Sequence, residues 1–184
     1  MSEAPALPSP ADVIAFWREA GPERWFEKDA SFDDDIRWRF LKLHEAASAG
    51  KLTDWEGNAE GALALLILLD QFPRNMFRGQ ARAFATDPLA LAIASRAILN
   101  GFDGAFSDLR GFFYLPFEHS EDPADQERAI AFYRARNDAD GLKWAELHAD
   151  IIHRFGRFPH RNAVLGRIST LEEQAFLDDG GFTG

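Results

Sequence analysis

The chain has 184 residues, enough to bury a full hydrophobic core as one domain, and with 46% hydrophobic and 13% aromatic residues it is not a disordered chain. It contains no cysteine, which excludes disulfides, thiolate zinc sites, iron–sulfur clusters and cysteine nucleophiles. The net charge of −10 leaves no overall basic footprint for nonspecific nucleic-acid binding.

Helix punctuation organises the chain from its start. Ser9 caps a first helix with Pro10 at its first position, Val13, Ile14, Phe16 and Trp17 form its apolar stripe, and Gly21 ends it. Residues 1–8 read as a loose tail before it, without the basic start and apolar stretch of a secretory signal. Ser31 with Asp34 opens a second helix carrying Ile36, Phe40, Leu43 and Ala47, and Gly50 stops it. His44, four residues after Phe40, reads as structural.

A third helix is expected from about Asn58 to Phe72, where Pro73 stops it. Its run Ala62 to Leu69 is apolar on every side, which marks a helix buried all round. That run is much too short to span a bilayer, and the cytoplasm is the expected address. Thr86 or Asp87 caps the next helix, with Pro88 in its first turn and Asn100-Gly101 as its stop. Ser107 is expected to cap a short helix through Leu115, and Asp122 with Pro123 starts another. A helix from about Ala139 to Phe155 follows, and Thr170 with Glu173 forms a capping box before the last. No strand alternation is visible, so the expected fold is all-α, about eight helices in a single domain spanning 1–184.

Two segments echo each other. Phe72-Pro73-Arg74-Asn75 followed by Gly79 resembles Phe158-Pro159-His160-Arg161-Asn162 followed by Gly166. One reading makes Arg74 and Arg161 staples for helix-end carbonyls that have lost their partners. The other gathers Arg74, Arg78, Arg82, Arg157, Arg161 and Arg167 with His160 into a cationic site, because the arginine fork binds phosphate and carboxylate in two-pronged fashion.

A second cluster runs from Phe113 to Asp122, where an aromatic run meets Glu118, His119, Ser120, Glu121 and Asp122. It reads either as an apolar anchor followed by an acidic cap, or as a site where His119 and a carboxylate act as general base or metal ligand. His148 lies beside the apolar stripe of its helix, as a hydrogen-bonded core histidine or a pocket histidine. His153 falls on the polar side, five residues from His148 and out of phase for a two-histidine metal pair. No metal site is diagnostic in the spacing, and no Walker loop, dinucleotide fingerprint, kinase signature or nucleophile elbow is present. No cofactor is implied.

Four blocks together resemble one family. They are Phe16-Trp17, Gly21-Pro22, Trp25-Phe26, Lys28-Asp29, Phe32 and Ile36; then Leu68 to Asn75 with Arg78-Gly79 and Ala83 to Asp87; then Tyr114 to Asp122 with Gln126-Glu127-Arg128; and finally His148, Asp150 to Ile152, Arg154 to Asn162, Leu165 to Arg167 and Ser169-Thr170. The chain resembles the bacterial domain-of-unknown-function family 924 over nearly its whole length. The resemblance implies an all-helical fold grouped with tetratricopeptide-like superhelices, closed here into a compact domain. It implies no established activity.

The polar members of these blocks define the candidate ligand site: Gln71, Arg74, Asn75, His119, Glu121, His148, Arg157, His160, Arg161 and Asn162. The expected function is binding of a small phosphorylated or carboxylated ligand, with enzymatic activity left open. Alternatives are a helical scaffold for a peptide, using aromatics such as Trp25, Trp55 or Phe102, and a metal-dependent hydrolase. Nucleic acid and membrane are not expected partners, and oligomeric state is not legible.

Overall fold

The computed structural model describes residues 7–182. Of the tail expected over residues 1–8, residues 1–6 lie outside the described residues. The regular structure among the described residues is all helical, with no strand, as expected from the sequence. None of their helices is long and apolar enough to cross a membrane. The described residues divide into two compact units, 7–78 with 82–116, and 79–81 with 117–182.

The first unit contains α1 (Pro10–Ala20), α2 (Pro22–Trp25), α3 (Ala30–Ser48), α4 (Ala59–Leu66), α5 (Phe72–Met76) and α6 (Asp87–Leu99). The Ser9 cap of α1 is a full capping box with Asp12. The cap of α3 is Asp29, not Ser31: its carboxylate accepts from the Ser31 and Phe32 N–H groups. The Ser31 hydroxyl, the Phe32 N–H and Arg24 hold the Asp29 carboxyl at about 2. Helix α4 is buried on every side from Gly61 onward and packs against α1 and α6. Around it lies an aromatic cluster in which Trp17 contacts Trp25, Phe32, Phe72 and Phe112.

Pro73 does not stop the helix after α4. The backbone widens into a π-helical turn, Ile67–Gln71, and continues through α5 to Met76. The Phe72 N–H reaches back five residues to the Ile67 carbonyl. Pro73 has no N–H, so the carbonyls of Leu68 and Leu69 lose their helical partner. Side chains replace it: the Nδ1 of His44 contacts the Leu68 oxygen at 2.9 Å, and the Thr86 hydroxyl donates to the Leu69 oxygen at 2.5 Å. Thr86 therefore heads α6 without capping it through its side chain.

The stretch after Ser107 also differs from expectation. It forms a 3-10 turn, Arg110–Phe113, and then the short helix α7 (Leu115–Glu118), with no cap from Ser107. The second unit then holds α8 (Pro123–Arg136), α9 (Ala139–Phe155) and α10 (Leu171–Asp178). Helix α8 packs along α9, and Ile151, Ile152 and Phe158 form a small core flanked by Phe155, Phe176 and Phe182. Asp122 caps α8 and the Thr170–Glu173 capping box opens α10, both as read from sequence.

Candidate functional site

In both echoed segments the asparagine donates to a buried carboxylate that an arginine also grips. In the first, the Asn75 amide donates to Asp33 at 2.8 Å, and Arg78 grips the same carboxylate with two prongs at 2.8 and 2.9 Å. In the second, the Asn162 amide donates to Glu173 at 3.2 Å, and Arg157 grips it at 2.6 and 2.8 Å. Asp33 and Glu173 are both buried. The glycine four residues beyond each asparagine adopts the left-handed backbone, with φ 75° at Gly79 and 67° at Gly166. The echo is thus an asparagine set on a buried carboxylate; the gripping arginines stand at different places, Arg78 after Asn75 and Arg157 before Asn162.

Most of the arginines read as candidates are thus matched to acids within their own unit. Arg74 pairs with Asp87 at 2.8 Å and also donates to the Ala83 carbonyl. Arg82 pairs with Glu45 at 3.0 Å. Arg167 clasps Glu121 at 2.8 and 3.0 Å. Burial pushes the Glu121 carboxyl up, but Arg167, the Phe158 N–H and Arg161 outweigh it and leave it below the usual range. The Glu173 carboxyl falls to about 2, Arg157 being the main cause. Gln71 is buried and donates to its neighbour Asp70 at 2.5 Å.

Three histidines of the second unit do converge. His148 from α9 sits edge-on to Phe158 and Phe182 at ring separations of 5.6 and 4.8 Å. His160 packs on the same two rings at 5.6 and 5.2 Å. His119 lies 6.5 Å from His148, ring to ring. Arg161 donates to the His119 carbonyl at 3.0 Å and lies over the Phe158 ring at 4.4 Å.

Behind this face lies a residue absent from the candidate set. Glu118 is 1% exposed, one of its oxygens accepts from the Tyr133 hydroxyl at 2.6 Å, and the other stands 3.4 Å from His148 Nδ1. That Nδ1 also contacts the Trp144 carbonyl at 2.8 Å, so it carries the proton and Nε2 is the ring's acceptor. The Gln126 amide closes the back by donating to the carbonyls of Phe117, Glu118 and Ser120. Glu118 was legible only as one acid in an acidic run; Tyr133 and Gln126 gave no separate signal.

His153 lies on the polar face, 3.6 Å from Glu127, as read. Among the described residues no group of three or more histidine or acidic side chains is placed to hold a metal ion. Trp25, Trp55 and Phe102 are half-buried, whereas Phe26, Trp38 and Trp144 are exposed.

An all-helical protein with a carboxylate-supported histidine face is the class these features define. Residues 13–181 match the family described as bacterial protein of unknown function, DUF924, and the chain belongs to that family. A solved structure described as a protein of unknown function, ATU0120 from Agrobacterium tumefaciens, is similar at 51% identity with a TM-score of 0.90, covering 93% of this chain and 97% of that one. No match is found among curated proteins.

Proposed function

We propose that the protein binds a small anionic ligand, phosphorylated or carboxylated, against the histidine face of its second unit, with His148 as the proton acceptor there. One observation carries the reading: a carboxylate buried to 1% exposure is directed at His148. Burying a charge is costly, and Glu118 has Tyr133 on one oxygen and the imidazole near the other. The Trp144 carbonyl orients the ring through Nδ1, and the carboxylate 3.4 Å from that nitrogen would stabilise the imidazolium formed when Nε2 takes a proton. Arg161 over the Phe158 ring brings positive charge to the face on which His160 also packs, which suits an anion.

The test is a thermal-shift screen of the whole chain against phosphorylated and carboxylated metabolites, repeated on His148→Gln and His160→Gln. A true ligand raises the melting temperature by mass action. The expected result is a shift that both variants lose and that His153→Gln retains. A screen without a hit, or a hit that survives His148→Gln unchanged, overturns the reading.

A further inference from the structure

The π turn has a consequence on the first unit's surface. The two side chains recruited to satisfy its carbonyls, His44 and Thr86, both line one hollow of about 320 Å³. That size lies at the lower end of small-molecule sites. Its rim holds one cation and one anion, Arg82 and Glu45, paired at 3.0 Å with each side chain about half exposed.

His44 is only 3% exposed. Its Nδ1 is committed to the Leu68 carbonyl, so that nitrogen bears the proton and Nε2 has a lone pair to fill. Ser48 stands nearby, but a hydroxyl has one hydrogen to give. The Ser48 oxygen is 2.8 Å from the His44 carbonyl and 3.4 Å from Nε2, and the shorter bond takes the hydrogen. Burial holds the imidazole below its ordinary range against the opposing pull of the Leu68 carbonyl, and Arg82 lowers it further. A neutral imidazole therefore lines a hollow that also carries a cation and an anion.

We propose that this hollow binds a small zwitterion of the free amino-acid class, its carboxylate on Arg82 and its ammonium between Glu45 and the Nε2 of His44. A simple anion would take Arg82 and leave Glu45 unmatched, and a simple cation would do the reverse. A zwitterion replaces the Arg82–Glu45 pair with two pairs and supplies the N–H that Nε2 lacks. Nothing in this proposal depends on the histidine face of the second unit.

The experiment uses the full chain labelled with ¹⁵N-histidine, titrated with each of the common free amino acids and with the N-acetylated and amidated forms of any that bind. The His44 Nε2 resonance is expected to move with saturation for at least one free amino acid. Blocking either end should weaken binding roughly tenfold or more, the loss of one charge-assisted contact. Ala85→Trp fills the hollow from an exposed position, and should abolish the titration while the melting temperature stays near that of the parent. Binding should persist in His148→Gln. The proposal is overturned if no free amino acid moves the His44 signal, if blocked forms bind equally well, or if Ala85→Trp binds as the parent does.

Discussion

The Thr86 hydroxyl donates to the main-chain oxygen of Leu69 at 2.5 Å, and Leu69 is the residue whose helical partner, four positions on, is Pro73. A threonine from the head of α6 therefore completes the hydrogen bonding of a fully buried π turn. Thr86→Val keeps the shape and removes the donor. An unmet buried carbonyl costs about 1–3 kcal/mol, the expected loss in urea unfolding. Pro73→Ala restores an N–H beneath that carbonyl, so the double variant should be less destabilised than the sum of the two singles. Strict additivity would show that the two residues do not serve the same oxygen.

Gly141, in the first turn of α9, lies against the Tyr133 ring: a Cβ there would come within 2.3 Å of it. Gly141→Ala must therefore push away the hydroxyl that holds Glu118. The expected cost is about 1–3 kcal/mol of overpacking, together with a changed His148 ring signal by NMR. Tyr133→Phe should change the same signal without the packing loss. A His148 signal indifferent to both would disconnect Tyr133 from the histidine face.

The Glu173 carboxyl sits at about 2 in the folded chain, below its ordinary 4.5, chiefly because Arg157 grips it. A depressed carboxyl contributes stability above its unfolded value and loses that contribution as the pH falls through the folded one. The loss from this group should therefore fall between about pH 4.5 and about pH 2. Glu173→Gln should be less stable at neutral pH, with a shallower decline across that window in chemical denaturation. An unchanged acid limb would assign the acid sensitivity to other carboxylates.

Asp33 is 8% exposed and rests on Arg78 and Asn75, whereas the Arg18–Asp108 pair is about half exposed on both sides. Arg78→Ala strands a buried carboxylate and should cost about 3 kcal/mol or more. Arg18→Ala should cost less than about 1 kcal/mol, because water already screens that pair. Similar losses from the two would mean that Asp33 finds another cation or takes up a proton.

Much of this molecule is local and therefore legible. Ser9, Asp122 and Thr170 cap their own helices within three residues, and the left-handed glycines at 21, 101 and 156 mark helix ends by backbone sterics alone. The all-round apolar run of α4 likewise announces its burial. Pro73 misleads for a physical reason: the π turn before it makes room for the ring, and the carbonyls it orphans are met by His44 and Thr86 from 24 and 17 residues away. The ion pairs of the other arginines are hidden for a similar reason, because their carboxylate partners lie far off in sequence, Asp33 45 residues before Arg78 and Glu121 46 before Arg167.

By itself, then, the amino-acid order determined the helical class, most helix ends, the buried segment and the family pattern, all of which follow from neighbours a turn or so apart. Tertiary structure alone decided which arginines are neutralised by ion pairs, which histidine has a buried carboxylate at its back, and that a proline could be carried inside a helix. Those outcomes depend on charges and hydrogen-bond donors from distant segments. Their pairing energies are set by burial and distance, and neither exists until the chain has folded.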